Sequence, residues 1–163
     1  MRPERVIAAS LLALVFTGAL FFFVRLWVSP GAGESVNFLE IRDSSSGKVY
    51  GQWKLEGGEF AIEFIHSVNQ RPVRETFRIE NHLIRPVAVR FSSFGAGMQS
   101  DLDEGQKLGR DGEYLVISGY KASYKELNYI VGTVSDHLLF INDSVVSLSK
   151  LCGRNAHITI KGR

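Results

Sequence analysis

Hydrophobic and polar side chains alternate through the middle of the chain. From Phe60 to His66, every second position places Phe60, Ile62, Phe64 and His66 on one face. The alternation returns from Val73 to Ile79, with Glu75 on the apolar face. A period of two is typical of a half-buried β-strand. The pattern therefore predicts two strands that form a hairpin turning at Gln70-Arg71.

The turn position also predicts how the two strands pair. Counting outward from Gln70-Arg71 places three pairs opposite each other, namely Phe64 with Phe77, Ile62 with Ile79, and His66 with Glu75. One imidazole and one carboxylate are therefore expected together at the end of the apolar face. We interpret this pair as the most informative chemistry in the chain.

Further runs of β-forming residues predict the rest of the fold. The candidate strands are Val36–Arg42, Lys48–Leu55, Leu83–Phe91, Glu113–Ser118, Tyr129–Val134, His137–Ile141, Val145–Leu151 and His157–Lys161. Pro86 indicates an edge position or a bulge, and Asn142-Asp143 suits a tight hairpin turn. Lys121–Leu127 is a candidate short helix. About ten short antiparallel strands with regular turns predict an all-β sandwich or a partly closed barrel.

A glycine-rich stretch, Gly95–Gly112, interrupts the strand pattern. It has 18 residues, of which five are glycine. A loop this long inside a compact domain is usually functional or disordered. It begins with Gly95, Ala96 and Gly97, where glycine permits a close backbone approach. We include these three residues in the candidate functional patch.

The N-terminal segment is predicted to anchor the chain in a membrane. Val6–Val24 contains 19 residues without a charge, and such a helix spans about 30 Å. Arg2 and Arg5 precede it, which favours a cytoplasmic N-terminus. The predicted organisation is a cytoplasmic stretch (1–5), a single-pass anchor in the cell membrane (6–28), a linker (29–35) and an extracytoplasmic β-domain (36–163). A cleaved signal peptide is the alternative, and it also exports the domain.

Charge and cysteine content exclude some classes of function. The net charge of +2 belongs to residues 1–33, and the remainder has 16 basic and 16 acidic residues. A neutral domain lacks the basic footprint of a nucleic-acid-binding protein. The single cysteine, Cys152, cannot form an internal disulfide and is interpreted as a small buried hydrophobic residue.

Three roles are open for His66 and Glu75. They can lock the strand register, form a pocket for a ligand or partner with the glycine-rich loop, or act with Ser67 as a hydrolase. Ser67 follows His66 directly on a strand, so their side chains diverge, which weighs against the hydrolase. Ser67 and His137 are lesser members of the candidate patch. Arg74 is a possible contact for an anionic ligand that His66 also holds.

Metal and cofactor sites have little support in the sequence. The histidines do not show the HExxH spacing of a zinc helix. Asp101, Asp103 and Glu104 mimic a calcium loop only in part, because Gly105 comes too early. We therefore predict no catalytic residue, no metal and no cofactor.

Several of these motifs together resemble the DUF1850 family of small bacterial and archaeal proteins. The resemblance rests on Phe64-Ile65-His66-Ser67-Val68, Val73-x-Glu75-x-Phe77 and Ser93-Phe94-Gly95-Ala96-Gly97, with a similar C-terminal half around His137-Leu138-Leu139, and it covers about residues 36–161. Glu80-Asn81-His82 departs from it, because a turn containing glycine is expected there.

The resemblance implies an accessory role in solute uptake. Proteins of this family are typically encoded beside, or joined to, TRAP-type transporters of the TAXI class, which import organic anions. We therefore expect a non-enzymatic, membrane-anchored protein that contacts the transporter's membrane subunits or its solute receptor. An extracytoplasmic module that binds a small organic anion is the alternative, and a hydrolase is a third. The oligomeric state stays open.

Overall fold

Eleven strands and one short helix make up the computed structural model, which describes residues 37–94 and 101–163. In chain order they are β1 (Asn37–Asp43), β2 (Val49–Leu55), β3 (Glu59–Ile65), β4 (Pro72–Glu80), β5 (Leu83–Phe91), β6 (Lys107–Asp111), β7 (Tyr114–Ser118), β8 (Glu126–Ile130), β9 (His137–Ile141), β10 (Ser144–Ser147), α1 (Leu148–Cys152) and β11 (His157–Gly162). The predicted all-β class is confirmed.

The strands form two antiparallel sheets. The smaller sheet has four strands in the order β2-β1-β11-β8, and the larger has seven in the order β10-β9-β3-β4-β5-β7-β6. Both sheets contribute buried side chains to one main core, including Leu39, Ile41 and Ile160 from the smaller sheet and Ile62, Phe77 and Leu139 from the larger. The fold is therefore two separate sheets that share a core, and not a closed barrel.

A second, smaller cluster belongs to the larger sheet alone. Its buried members are Val73 on β4, Phe91 on β5 and Ile117 on β7. Phe64 and Tyr120 are partly buried against them. Among the described residues, the smaller sheet contributes no side chain to this cluster. One end of the larger sheet therefore has apolar side chains outside the main core, and this end carries the candidate site.

The β3–β4 hairpin forms, but its predicted register is wrong. Glu75 lies opposite Ile62, not His66. The loop spans the four residues Ser67–Gln70 and is closed by the His66 amide, which donates to the Arg71 carbonyl at 2.9 Å. The predicted turn was placed too late in the chain, so each partner moved by four positions. An even displacement keeps every side chain on its predicted face.

The structure also tests two other predicted turns and the predicted irregularity at Pro86. Asn142-Asp143 joins β9 to β10 as a tight turn, as predicted. Pro86 lies opposite Phe77, next to the register shift between Thr76 and Phe77, which confirms the predicted bulge. Strand β5 lies between β4 and β7, but its pairing with β7 begins only at Ala88, beyond Pro86. Asn81-His82, where glycine was expected, forms a two-residue turn with φ values of 51° and 63°. Asparagine and histidine are among the residues that best tolerate this conformation.

Three sequence-based assignments are wrong. Lys121–Leu127 is not a helix, because β8 begins at Glu126. The predicted strand Val145–Leu151 is a strand only to Ser147, and α1 begins at Leu148. This helix has too few residues to show a helical period. The loop Gly95–Gly112 contains a strand, Lys107–Asp111, which pairs with β7.

The predicted membrane anchor, and Gly95, Ala96 and Gly97, lie outside the described residues. Within residues 37–94 and 101–163, no helix is long and apolar enough to cross a bilayer. Cys152 is half-buried in α1, and burial raises the pKa of its thiol to about 11, with a further contribution from the Asp43 carboxylate. The thiol therefore stays protonated near neutral pH and is a poor nucleophile.

Candidate functional site

A cavity of about 630 Å³ opens beside the second apolar cluster. Most of its lining is apolar, and five lining residues carry polar groups. The lining residues are Phe64, Ile65, Val73, Val89, Phe91 and Ile117, together with His66, Ser67, Glu75, Tyr120 and His137. The structure thus brings four of the predicted site residues, His66, Ser67, Glu75 and His137, to one cavity.

Glu75 is the one polar side chain in an apolar row that crosses the larger sheet. Neighbouring strands place it in register with Leu139, Ile62, Val89 and Ile117. Alternation along β4 directs Glu75 to the same face as the buried Val73 and Phe77. An aliphatic residue would suit this position as well as it suits the others in the row. The carboxylate is therefore not explained by the packing of the sheet.

Tyr129 links the two sheets through Glu75. Its hydroxyl group, carried on β8 of the smaller sheet, donates a hydrogen bond to Glu75 Oε2 at 2.5 Å. Among the described residues, Tyr129 is the one hydrogen-bond partner of this carboxylate, and no cation is paired with it. A carboxylate has two oxygens and about four acceptor positions. Most of its acceptor capacity is therefore available to the cavity.

Burial raises the pKa of both Glu75 and Tyr129. Desolvation raises the pKa of Glu75, and the Tyr129 hydrogen bond opposes this only in part. Burial and the neighbouring Glu75 charge raise the pKa of the Tyr129 phenol, which stays protonated as a donor. Burial also raises the pKa of Tyr120, and the charges of Glu75 and Asp103 add to this. The cavity is an environment that disfavours negative charge.

His137 stands next to this pair on β9. Its ring stacks on Phe64 with 5.2 Å between centroids and meets the Tyr129 ring edge-on at 6.3 Å. Burial lowers the pKa of His137, and Asp136 offsets this only in part. The imidazole Nδ1 accepts the Gly132 amide proton at 2.9 Å, so the neutral ring carries its own proton on Nε2. His137 is therefore a neutral hydrogen-bond donor.

Gly132 has a steric role in holding His137. A Cβ atom at this position would lie 2.1 Å from the Ser135 carbonyl oxygen and 3.2 Å from His137 Nδ1. A side chain cannot fit there without moving the backbone. The close approach of the Gly132 amide to the imidazole therefore depends on glycine.

His66 and Ser67 lie at the mouth of the cavity, where β3 ends. The His66 Nδ1 atom accepts the Val68 amide at 3.3 Å, and the Ser67 carbonyl accepts the Gln70 side-chain amide at 2.6 Å. His66 shares the cavity with Glu75 but is not its cross-strand partner. The carboxylate is hydrogen-bonded to Tyr129, so the acid–imidazole pair that motivated the hydrolase alternative is not formed.

Arg74 lies on the opposite face of the larger sheet and does not line the cavity. Its Nε donates to Glu63 Oε2 at 2.9 Å, and its guanidinium group lies 3.9 Å from the centre of the Phe140 ring. The prediction that Arg74 and His66 hold one anion therefore fails on geometry, because successive residues of a strand point to opposite faces.

Tyr129 and Tyr120 are site residues that the sequence analysis did not identify. Tyr129 lies in a strand whose predicted start was three residues late, and its partner across the sheets is 54 residues away. The alternation of β8 shows which of its residues are buried, but not which strand of the other sheet they meet. Tyr120 lies in the connection between β7 and β8, which has no periodic signal.

No group of three or more histidine, cysteine, aspartate or glutamate side chains is arranged to hold a metal ion in the part of the chain that the structure describes. The polar groups of the cavity are instead one carboxylate, two imidazoles and two kinds of hydroxyl. Such a set can donate and accept hydrogen bonds to an organic molecule, and it presents one negative charge.

We predict that Glu75→Gln stabilises the domain at neutral pH. Glutamine keeps an acceptor for Tyr129 and removes the buried charge, so the free energy of unfolding should rise by roughly 1 kcal/mol or more, about 2–6 °C in Tm. Because the pKa of Glu75 is raised in the folded state, its destabilising effect should be absent below its ordinary value and should grow as pH rises through the folded-state pKa.

Thermal unfolding between about pH 4 and pH 8 measures this effect. Glu63→Gln on the opposite face is the matched control, and it should lose stability slightly because Glu63 pairs with Arg74. A Glu75→Gln protein that is less stable than the wild type at neutral pH would contradict the interpretation of Glu75 as a partly buried charge without a cationic partner among the described residues.

Comparison with known proteins identifies the family to which the chain belongs. No curated protein and no solved structure matches the chain. The profile of the family described as "Domain of unknown function (DUF1850)" matches residues 60–148, which is more than half of the chain and includes every residue that lines the cavity. The predicted family is confirmed, and the chain belongs to the DUF1850 family.

Proposed function

We propose that this domain is a non-enzymatic binding module that holds a small molecule in the cavity beside Glu75. The observation that carries the proposal is the carboxylate itself. It occupies an apolar row, and among the described residues it has one hydrogen bond and no paired cation. A partly buried charge without a cationic partner lowers stability, and such groups are concentrated at functional sites.

The size and lining of the cavity suit a small organic molecule. Ligand pockets usually have volumes of about 300–1,000 Å³, apolar walls and a few placed polar groups. The cavity here has about 630 Å³, aromatic and aliphatic walls, and polar groups at Glu75, His66 and His137. These features support binding of a molecule with an apolar body and at least one hydrogen-bonding group.

The same geometry gives little support to catalysis. A serine nucleophile needs a base within hydrogen-bond reach and a group that orients the base. Ser67 is exposed in the hairpin loop, and His66 Nδ1 accepts a backbone amide instead of bonding to an acid. We therefore keep the non-enzymatic interpretation ahead of the hydrolase alternative.

We expect at least one class of small molecule to stabilise the protein by occupying this cavity. A panel of carboxylates, amines, alcohols and sugars at millimolar concentration should contain a compound that raises Tm by about 2–5 °C, because a ligand that binds the folded state stabilises it by mass action. Val89→Phe should abolish the rise, since Val89 lines the cavity.

Val116→Phe is the matched control, because Val116 lies on β7 on the opposite face of the sheet. Circular dichroism should show that both variants are folded. The proposal fails if no compound class shifts Tm, or if the shift is the same in Val89→Phe and the wild type.

A second proposal is that the module serves a TRAP/TAXI-type uptake system as a membrane-anchored accessory protein. Its support is the typical gene neighbourhood of the DUF1850 family and an exposed apolar rim on segments that adjoin cavity-lining residues. We define this rim as Ile65, Val68, Phe94 and Val134, all exposed, with Val68 at 64% and Val134 at 91%. Exposed apolar patches commonly mark contacts with other proteins.

Hydrogen bonds tie together the segments that carry the rim. The Ser135 hydroxyl donates to the Ile65 carbonyl at 3.4 Å, and the Asn69 side-chain amide donates to Ser93 Oγ at 3.4 Å. The rim therefore joins the β3–β4 loop to the end of β5 and to the segment before β9. Because Ile65 also lines the cavity, we expect a partner on this rim to lie close to the cavity.

The full chain in detergent should co-purify with the membrane subunits or the solute receptor of a TRAP/TAXI transporter. We expect Val68→Ser/Val134→Ser to reduce recovery at least fivefold, because it removes two exposed anchors of the rim. Val49→Ser/Val145→Ser, on β2 and β10, changes two other exposed valines and should bind normally. Equal recovery with both double variants would contradict a role for the rim, and no recovery with the wild type would contradict the accessory role.

A further inference from the structure

We propose that the ligand of this cavity is a small organic ammonium compound, with its apolar body against the aromatic walls and its charged amine at Glu75. The inference rests on the proposed binding function and specifies the chemical class of its ligand. It differs from the organic anion that the sequence analysis considered.

The charges of the lining support a cation. The described residues that line the cavity include no lysine and no arginine, whereas they include the Glu75 carboxylate. The nearest predicted anion contact, Arg74, is held on the other face by Glu63. A carboxylate ligand would therefore meet a carboxylate in a partly desolvated site without a countercharge, which is strongly unfavourable.

The hydrogen-bonding capacity of Glu75 fits an ammonium group. Tyr129 occupies Oε2, and among the described residues nothing donates to Oε1. An ammonium group has up to three donors and no acceptor. It would complete the acceptor sites of Glu75 and neutralise its charge. A charge-assisted hydrogen bond of this kind is about twice as strong as a neutral one.

Aromatic walls give a second reason for a cation. The half-buried rings of Phe64 and Tyr120 line the cavity together with Glu75. The faces of such rings attract ammonium groups, most strongly where water is excluded. The fold already uses this interaction elsewhere, since Arg74 and Arg90 lie over the rings of Phe140 and Tyr114 at 3.9 and 3.7 Å.

The neutral imidazole of His137 is compatible with a cationic ligand. Burial keeps its pKa below the ordinary range, so it adds no positive charge to the site near neutral pH. The titratable groups that face Glu75 are His66 at the end of β3, Tyr120 before β8, Tyr129 on β8 and His137 on β9. Glu75 is the group among them that carries a negative charge.

Three molecules of the same shape separate the possible ligand classes. Cyclohexylamine, cyclohexanol and cyclohexanecarboxylate differ only in the polar group, and binding can be measured by calorimetry and thermal shift at about pH 8, where an alkylamine is protonated. We expect cyclohexylamine to bind at least tenfold more tightly than cyclohexanol, and cyclohexanecarboxylate to bind most weakly.

Two variants test whether Glu75 carries this preference. Glu75→Gln should fold at least as well as the wild type and should lose the tenfold preference for the amine. Glu63→Gln, the matched control on the opposite face, should keep it.

The outcomes separate this inference from the proposed function. If cyclohexanecarboxylate or cyclohexanol binds at least as tightly as the amine, and Val89→Phe abolishes that binding, the cavity binds ligands but the ammonium assignment is wrong. If amine binding survives Glu75→Gln unchanged, the assignment is also wrong. If none of the three binds and the wider panel shifts no Tm, both proposals fail.

Discussion

One hydrogen bond joins the two sheets at the site on which this account depends. Tyr129 on the smaller sheet donates to Glu75 on the larger sheet, inside a row of otherwise aliphatic side chains. The bond offsets only part of the free energy that desolvation of the carboxylate costs. A carboxylate that the packing does not require, and that one hydroxyl does not satisfy, supports the proposal that the cavity binds a ligand. The roles proposed for the cavity, the neutral His137 and the aromatic walls all depend on this carboxylate.

The position of the site follows from the unequal size of the sheets. The smaller sheet shares the main core with the larger one, whereas Val73, Phe91 and Ile117 form a cluster to which the smaller sheet adds nothing among the described residues. Glu75 lies between these two regions. The family match covers the strands that carry the cavity but not β1, β2 or β11, so the shared part of the chain includes the site.

Strand identity and facing were predictable for β3 and β4, because a period of two is encoded locally. The faces of β3 and β4 were correct, and so was the inward position of Glu75. The register was wrong because loop length depends on the left-handed conformation of Gln70, with φ of 53°, which alternation does not reveal. Tyr129 could not be predicted, because contacts between sheets depend on how the sheets stack. Arg74 was misassigned when charge was considered without the direction of its side chain.

The protonation state of Glu75 tests the central claim most directly. The carboxyl carbon of Glu75, assigned by comparison with Glu75→Gln, can be followed by ¹³C NMR as the pH is changed. The account predicts a titration midpoint above the ordinary value of 4.5, because burial disfavours the charge and no cation in residues 37–94 and 101–163 is paired with it. A midpoint at or below 4.5 would show that the carboxylate is solvated or paired, and would contradict the account.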